Sequence, residues 1–275
     1  MKVYIRKPSR RDQTEKGMVG VIKNNKQPWL GKWASKAYLL AMLVLPSVNG
    51  SVESKKKLMF HFDKIEVRGA VQVFVEPGKR NREIEYFANS EIIDSVESRV
   101  VGRTLYLDAN NTFDLSRRIP LIRVSAQRIF PVEIMVSIES LKEARLHEQS
   151  SLVIKGIQAD EILLFSNSSG TMLVDSIKCP VIKLRQEGTG PVILRGRETS
   201  LLNATVFNSG ELRGEGLFLE KALVSHHGSG NLFLAPEKWL DLKLLGTGNL
   251  TLLEQPEGRV VKRSENAGHL IEAFK

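Results

Sequence analysis

Cysteine is nearly absent from this chain, which has one, Cys179, in 275 residues. An intrachain disulfide is therefore impossible, and no cysteine follows an apolar leader to accept a lipid, so disulfide-stapled domains and lipoproteins are excluded. Long apolar runs are lacking as well. The best candidate, residues 37–45, is nine residues long, whereas a membrane-spanning helix needs about 20. The sequence predicts no stable transmembrane span.

Excess basic charge is confined to the first 50 residues. These hold ten Lys/Arg and two Asp/Glu, whereas residues 51–275 hold 30 and 29. Because the remainder is nearly neutral, we expect no nucleic-acid partner.

The basic segment leads into the apolar run 37–45, then Pro46 and small residues up to Gly50. This order is typical of a signal peptide cleaved after Gly50 and predicts export to the periplasm or cell surface of a bacterium. The alternative is a short buried helix.

A turn motif repeats through the second half of the sequence, in the stretches NSSGTMLV, EGTGPVIL, FNSGELRG, HGSGNLFL and LGTGNLTL. A sixth stretch, EQSSLVI, fits the same frame with Ser150 in the position of the glycine. A glycine at a corner indicates a positive φ or a close approach of two backbones. The predicted turn glycines lie at a nearly constant interval, with a shorter last step: Gly170, Gly190, Gly210, Gly230 and Gly248.

Apolar residues alternate with the same period in two segments of each repeat. The first segment aligns Leu152, Met172, Val192, Leu212, Leu232 and Leu250, and the second aligns Ile162, Ile182, Leu202, Ala222 and Leu242. Alternation inside a period of about 20 residues is typical of short strands that stack coil upon coil. We therefore predict an all-β parallel β-helix, a solenoid of at least six coils whose stacking builds one continuous core.

The same pattern predicts the domain organisation. Residues 1–50 form the leader and 51–59 a linker. A single β-helix domain follows over 60–255, with irregular coils over 60–140 and regular repeats over 147–253, and 256–275 form a C-terminal tail.

These motifs resemble a known bacterial family. The repeated [SGN]-[ST]-G with alternating apolar residues, and the opening stretches FDKIEVRGAVQVFV and GRTLYLDAN, are similar to the head GIN domain, a family regarded as auto-transporter adhesins. The resemblance covers about residues 60–253 and departs at Ser150. It implies a right-handed parallel β-helix related in shape to pectin lyases, an exported location and a role in adhesion, with no established catalytic residues.

Candidate catalytic carboxylates are too widely spaced within the repeats. Asp160 and Asp241 share nearly the same corner but lie four coils apart, about 19 Å, so no acid pair or calcium site is expected there. A polysaccharide-active enzyme of the pectin-lyase-like type remains the alternative. It would use carboxylates of the irregular first coils: Glu83, Glu85, Asp94 and Glu97.

Histidines and glycine-rich turns predict no metal or cofactor site. His147 and His227 share a repeat position four coils apart, beyond a common coordination shell, and the adjacent His226 and His227 point to opposite sides of an extended strand. The glycine motifs lack the pattern of a phosphate-binding loop. The outward row of the second segment also lacks the continuous basic charge that a nucleic-acid-binding surface needs. It reads Leu163, Lys183, Asn203, Leu223 and Lys243.

One outward row of the first segment is mostly apolar. It reads Val153, Leu173, Ile193, Arg213, Phe233 and Thr251. We call Val153, Leu173, Ile193 and Phe233 the docking stripe. Contiguous apolar patches on soluble proteins mark interaction surfaces. The sequence thus favours a non-catalytic module that binds a glycan or protein. The alternatives are a self-associating scaffold, or a stripe that a terminal segment or residues 60–140 cover.

Overall fold

The computed structural model describes residues 51–79, 82–90, 92–109, 112–114, 127–129 and 131–274. The predicted leader, residues 1–50, lies outside the described residues. The described chain is nearly all β, with one short 3-10 helix, Ile93–Ser95.

The strands of the first coils are short and irregularly spaced. They are β1 (Val52–Leu58), β2 (Lys64–Arg68), β3 (Gln72–Pro77), β4 (Glu83–Asn89), β5 (Glu97–Val101), β6 (Thr104–Asp108), β7 (Thr112–Asp114), β8 (Gln127–Ile129) and β9 (Val132–Ile138).

The regular coils contain the remaining strands. They are β10 (Glu143–Glu148), β11 (Ser151–Lys155), β12 (Glu161–Ser168), β13 (Met172–Lys178), β14 (Val181–Gln186), β15 (Val192–Val206), β16 (Leu212–His226), β17 (Leu232–Leu234), β18 (Pro236–Leu244), β19 (Leu250–Leu252), β20 (Gly258–Arg263) and β21 (Leu270–Glu272).

Parallel pairing between successive coils builds two ladders. Ladder A runs in the order β9, β3, β11, β13, β15, β16, β17, β19 and β21. Ladder B runs in the order β6, β2, β10, β12, β14, β15, β16, β18 and β20. The long strands β15 and β16 bend at a corner and belong to both. The predicted β-solenoid of stacked parallel coils is confirmed.

The core is a set of stacked apolar columns between the ladders. Each member of the predicted first column is fully buried, because its side chain meets the equivalent side chain of the next coil; these are Leu152, Met172, Val192, Leu212, Leu232 and Leu250. Stacking shields each coil with its neighbours, which a single coil could not achieve alone.

The first coils depart from the repeat because antiparallel strands are added. Strand β4 pairs antiparallel with β9 and β1, and β5 pairs antiparallel with β6. Strand β1 lies in the segment predicted as a linker, whereas β20 and β21, in the segment predicted as a tail, continue both ladders. The described fold therefore extends beyond the predicted limits of 60 and 255.

One predicted alignment is wrong. The structure pairs Ala222 with Leu240 and Val224 with Leu242, whereas the sequence pattern aligned Leu242 with Ala222. The last regular coil is shortened between β17 and β18, before the second segment, and a register shift accompanies the shortening between Leu219 and Lys221. Strand β18 is therefore displaced along ladder B relative to the prediction.

The turn glycines are required by close backbone packing. None of the five has a positive φ. A Cβ built at Gly190 or Gly230 would instead collide with the carbonyl oxygen of the equivalent glycine one coil earlier, Gly170 or Gly210. At the start of this column stands Ser150, whose side chain is fully buried and whose hydroxyl donates to the backbone oxygen of His147 at 2.7 Å.

Candidate functional site

The docking stripe is in register across ladder A. Val153 pairs with Leu173, Leu173 with Ile193, Ile193 with Arg213 and Arg213 with Phe233. The four apolar side chains point away from the core and are half-buried. The structure thus brings together residues that belong to successive repeats of the sequence.

Two residues of the first coils lengthen this row. Phe74 on β3 pairs with Val153, and Met135 on β9 pairs with Phe74. Sequence reasoning missed both because the first coils do not keep the period of the later repeats. We call the full row the extended stripe: Met135, Phe74, Val153, Leu173, Ile193, Arg213, Phe233, Thr251 and Ile271.

Arg213 interrupts the apolar character of the row less than its charge suggests. Its guanidinium carbon lies 5.7 Å from the centroid of the Phe233 ring. Its Nη2 atom is 2.8 Å from a carboxylate oxygen of Glu215. A guanidinium over an aromatic ring gains a favourable cation–π contact, and the aliphatic stem covers apolar surface. The stripe is therefore continuous in shape.

Polar residues flank the extended stripe on both sides. On one side, short side chains bond to the next coil: the backbone N–H of Thr171 donates to Ser151 at 3.2 Å, and that of Asn249 donates to Asn231 at 3.2 Å. On the other side, charges of alternating sign follow one another from coil to coil: Glu76, Lys155, Asp175 and Arg195. An apolar centre with a polar rim results.

The face is long and shallow. Nine described strands that each occupy about 4.8 Å give a height of about 43 Å, and three outward columns that each occupy about 7 Å give a width of about 20 Å. Beside Met135 lies a hollow of about 170 Å³ that Glu76, Glu83 and Glu85 help to line. Such a surface favours broad contact over enclosure of a small substrate.

The carboxylates considered for an enzyme do not form one cluster. Glu83 and Glu85 line the hollow, whereas Asp94 binds Lys55 at 2.8 Å and Glu97 lies opposite Asp108 on β6. Among the described residues, no group of three or more His, Cys, Asp and Glu side chains is arranged to hold a metal ion.

The adjacent histidines point to opposite sides of the strand. His226 is fully buried, and burial lowers its pKa, against the opposing influence of the backbone at Gly230 and Val206. His227 is exposed and stacks on Phe207 with the ring centroids 4.8 Å apart. The pair therefore shares no ligand.

The single cysteine is also poorly placed to react. Cys179 is fully buried, and its Sγ lies 3.1 Å from the backbone oxygen of Val181. Burial raises the pKa of its thiol, so the nucleophilic thiolate is disfavoured.

Comparison with known proteins agrees with this architecture. A family model described as "Putative auto-transporter adhesin, head GIN domain" matches residues 61–256. The chain belongs to this family, and membership supports an adhesion-type role. The comparison with curated protein sequences gives no match.

Solved bacterial structures share this fold. A "putative adhesin" of Bacteroides fragilis is 16% identical with a TM-score of 0.68, covering 81% of this chain and 96% of its own. "Putative adhesin" structures from Parabacteroides distasonis and Parabacteroides merdae are 15% and 17% identical with TM-scores of 0.57 and 0.56. Each covers 82% of this chain, and 98% and 95% of its own, respectively. At these identities the likeness shows the fold alone. Within the described part of this chain, no helix has the length and apolar character needed to span a membrane.

Proposed function

We propose that this chain is a non-catalytic adhesion module that docks a protein ligand onto the extended stripe. The observation that carries the proposal is the unbroken series Met135, Phe74, Val153, Leu173 and Ile193, which faces outward on five successive strands. Its mechanism is shallow contact along many coils, without a bond-making step.

The dimensions of the face suit a protein partner. A surface of roughly 43 Å by 20 Å is close to the ~800 Å² that each partner contributes to a stable protein complex. An apolar centre depleted of charge and bordered by polar groups is also the usual composition of such interfaces. The side chains of the unbroken series, from Met135 to Ile193, offer no hydrogen-bond donor to a sugar hydroxyl, so a protein fits this face better than a glycan does.

The location proposed for the module is outside the cytoplasm. Family membership supports an exported or cell-surface protein. The basic and apolar leader before Gly50 supports the same location, with residues 1–50 removed as a signal peptide and the solenoid as the working domain.

A retention assay tests the function. The purified full-length chain is passed over immobilised fibrinogen, fibronectin, collagen and mucin, together with the double variant Ile193→Ser, Phe233→Ser. We expect at least one of these proteins to retain the unmodified chain and the variant to bind it about tenfold or more weakly, since each change removes a central apolar anchor.

The matched control is Leu163→Ser, Phe218→Ser, which changes two exposed apolar side chains that are not part of the extended stripe. Its retention should equal that of the unmodified chain. Equal loss in the control, or retention on none of the four proteins, would contradict the proposal. A doubled solution mass that Ile193→Ser abolishes would also overturn it, because the stripe would then be occupied by a second copy.

A further inference from the structure

A second outward surface lies on ladder B, near the C-terminal end of the solenoid. It is built by neighbouring positions of β16, β18 and β20, where Lys221 pairs with Trp239 and Trp239 with Gly258. We call it the Trp239 site, formed by Lys221, Trp239, Asp241, Lys243, Gly258 and Lys262.

Trp239 forms an open aromatic platform. The residue is 40% exposed, and its ring atoms Cε3 and Cζ3 occupy the place where a Cβ of Gly258 would stand. Because Gly258 has no side chain, the indole can lie down on β20 instead of projecting from the sheet. The platform continues through Leu223 and Val260, which are 36% and 40% exposed.

The lysines of the site are not neutralised by neighbouring carboxylates. On β14, the same ladder carries cations that are paired: Lys183 with Glu161 at 2.7 Å, and Arg185 with Glu187. By contrast, Lys221, Lys243 and Lys262 are exposed and have no ion pair within the part of the chain that the structure describes. The site therefore presents a local surplus of positive charge.

Asp241 lies between Trp239 and Lys243 on the same strand. Its Oδ1 atom is buried against the sheet and has no hydrogen-bond partner among the described residues. In register, Asp241 lies between Leu223 and Val260 of the adjacent strands. Because the side chain as a whole is half-buried, its carboxylate can still accept from a ligand that brings hydroxyl donors to the aromatic platform.

We infer that the Trp239 site binds a carboxylated sugar, such as a uronic acid within an acidic glycan. The apolar face of a sugar ring would rest on the indole. A ring hydroxyl would donate to Asp241, and the sugar carboxylate would accept from the lysines. The apolar face, the hydroxyl and the carboxylate of the sugar thus each have a different binding group in the site.

Other anionic partners fit less well. A polyphosphate or nucleic acid would bring its dense charge against Asp241, and an anionic membrane would need side chains that project, whereas Trp239 lies on the sheet. The site spans three strands, about 10 Å across, far short of the ~800 Å² that a protein partner would cover.

The experiment measures binding of oligogalacturonides to the full-length chain by calorimetry, with their methyl esters as the uncharged counterpart. We expect the acidic oligomers to bind at least tenfold more tightly than the esters, a difference of about 1.4 kcal/mol. Trp239→Ala should weaken binding about tenfold, and the double variant Lys243→Gln, Lys262→Gln should remove the preference for the acid. Gly258→Val should weaken binding by displacing the indole without altering charge.

Phe218→Ala and Lys183→Gln serve as controls, since they remove an exposed aromatic ring and a paired lysine elsewhere. Equal binding of acid and ester, unchanged binding by Trp239→Ala, or tighter binding to phosphatidylglycerol vesicles or polyglutamate than to the oligogalacturonides would overturn the inference. Ile193→Ser should leave sugar binding unchanged, so that failure here and failure of the docking proposal are distinguishable.

Discussion

Gly190 stacks so closely on Gly170 that a Cβ at Gly190 would collide with the carbonyl oxygen of Gly170. The same contact recurs between Gly230 and Gly210, and between Gly248 and Gly230. The repeated glycine therefore sets how tightly one coil can pack on the next, and the two proposed binding faces depend on that packing.

Gly190→Ala should destabilise the solenoid by roughly 1–3 kcal/mol, because an immovable backbone oxygen blocks the new methyl group. Urea unfolding followed by circular dichroism measures the loss. Gly216→Ala is the matched control, since its Cβ would meet only the flexible side chain of Arg195. A control variant as unstable as Gly190→Ala would show that coil spacing is not the cause.

The buried histidine predicts a loss of stability in acid. Burial lowers the pKa of His226 below its ordinary value of 6.5, so the unfolded chain binds a proton that the folded chain resists. The contribution of neutral His226 to the free energy of unfolding is therefore complete above about pH 6.5, and it decreases as the pH falls below that value. Unfolding free energies measured at pH 7.5 and 5.5 should decrease less in His226→Leu than in the unmodified chain. His227→Gln, which changes the exposed neighbour, should keep the full decrease, and the same decrease in all three proteins would contradict this explanation.

Charged residues occupy inward positions at the last coil. Arg259 pairs with the core residue Leu240 and Glu272 with Leu252, and the two charges form an ion pair. Inward charges on edge strands discourage the addition of further strands. Arg259→Leu, Glu272→Leu should therefore associate with increasing concentration in sedimentation velocity experiments.

A control for this effect is Lys183→Leu, Glu161→Leu, which replaces an ion pair in the middle of ladder B with the same apolar residues. It adds apolar surface without altering a free edge and should stay at the mass of the unmodified chain. Association of the control alone would contradict the capping role of Arg259 and Glu272.

The buried thiol predicts slow chemistry at Cys179. Because the side chain is fully buried and its pKa is raised, the folded chain should react with a thiol-specific reagent at least about 100-fold more slowly than the chain in urea. Absorbance of the released reagent measures both rates. Equal rates would mean that this corner of the solenoid is open to solvent.

The solenoid was predictable because its core repeats in the sequence. Columns such as Leu152 and Met172 recur at one spacing, and a constant spacing of this length with internal alternation leaves few other folds. The same constant spacing predicted the docking stripe, since a position that faces outward in one coil faces outward in the next.

The rest depended on irregularities that the period cannot reveal. Phe74 and Met135 belong to the stripe through coils interrupted by antiparallel strands. The Trp239 site was hidden because the shortened coil displaced β18, which places Asp241 beside Leu223 where the sequence pattern placed Lys243. Local insertions and deletions are accommodated at corners and leave little sequence signal.

The most direct test of the docking proposal is to cover the stripe. Ile193→Cys introduces a thiol in the stripe, while the buried Cys179 should stay unreactive, so a maleimide polyethylene glycol can be attached at position 193. Leu163→Cys, on ladder B, receives the same polymer as the control. The docking proposal predicts that the polymer at 193 abolishes retention on the immobilised protein ligand and that the polymer at 163 does not. Undiminished retention with the stripe covered would contradict it.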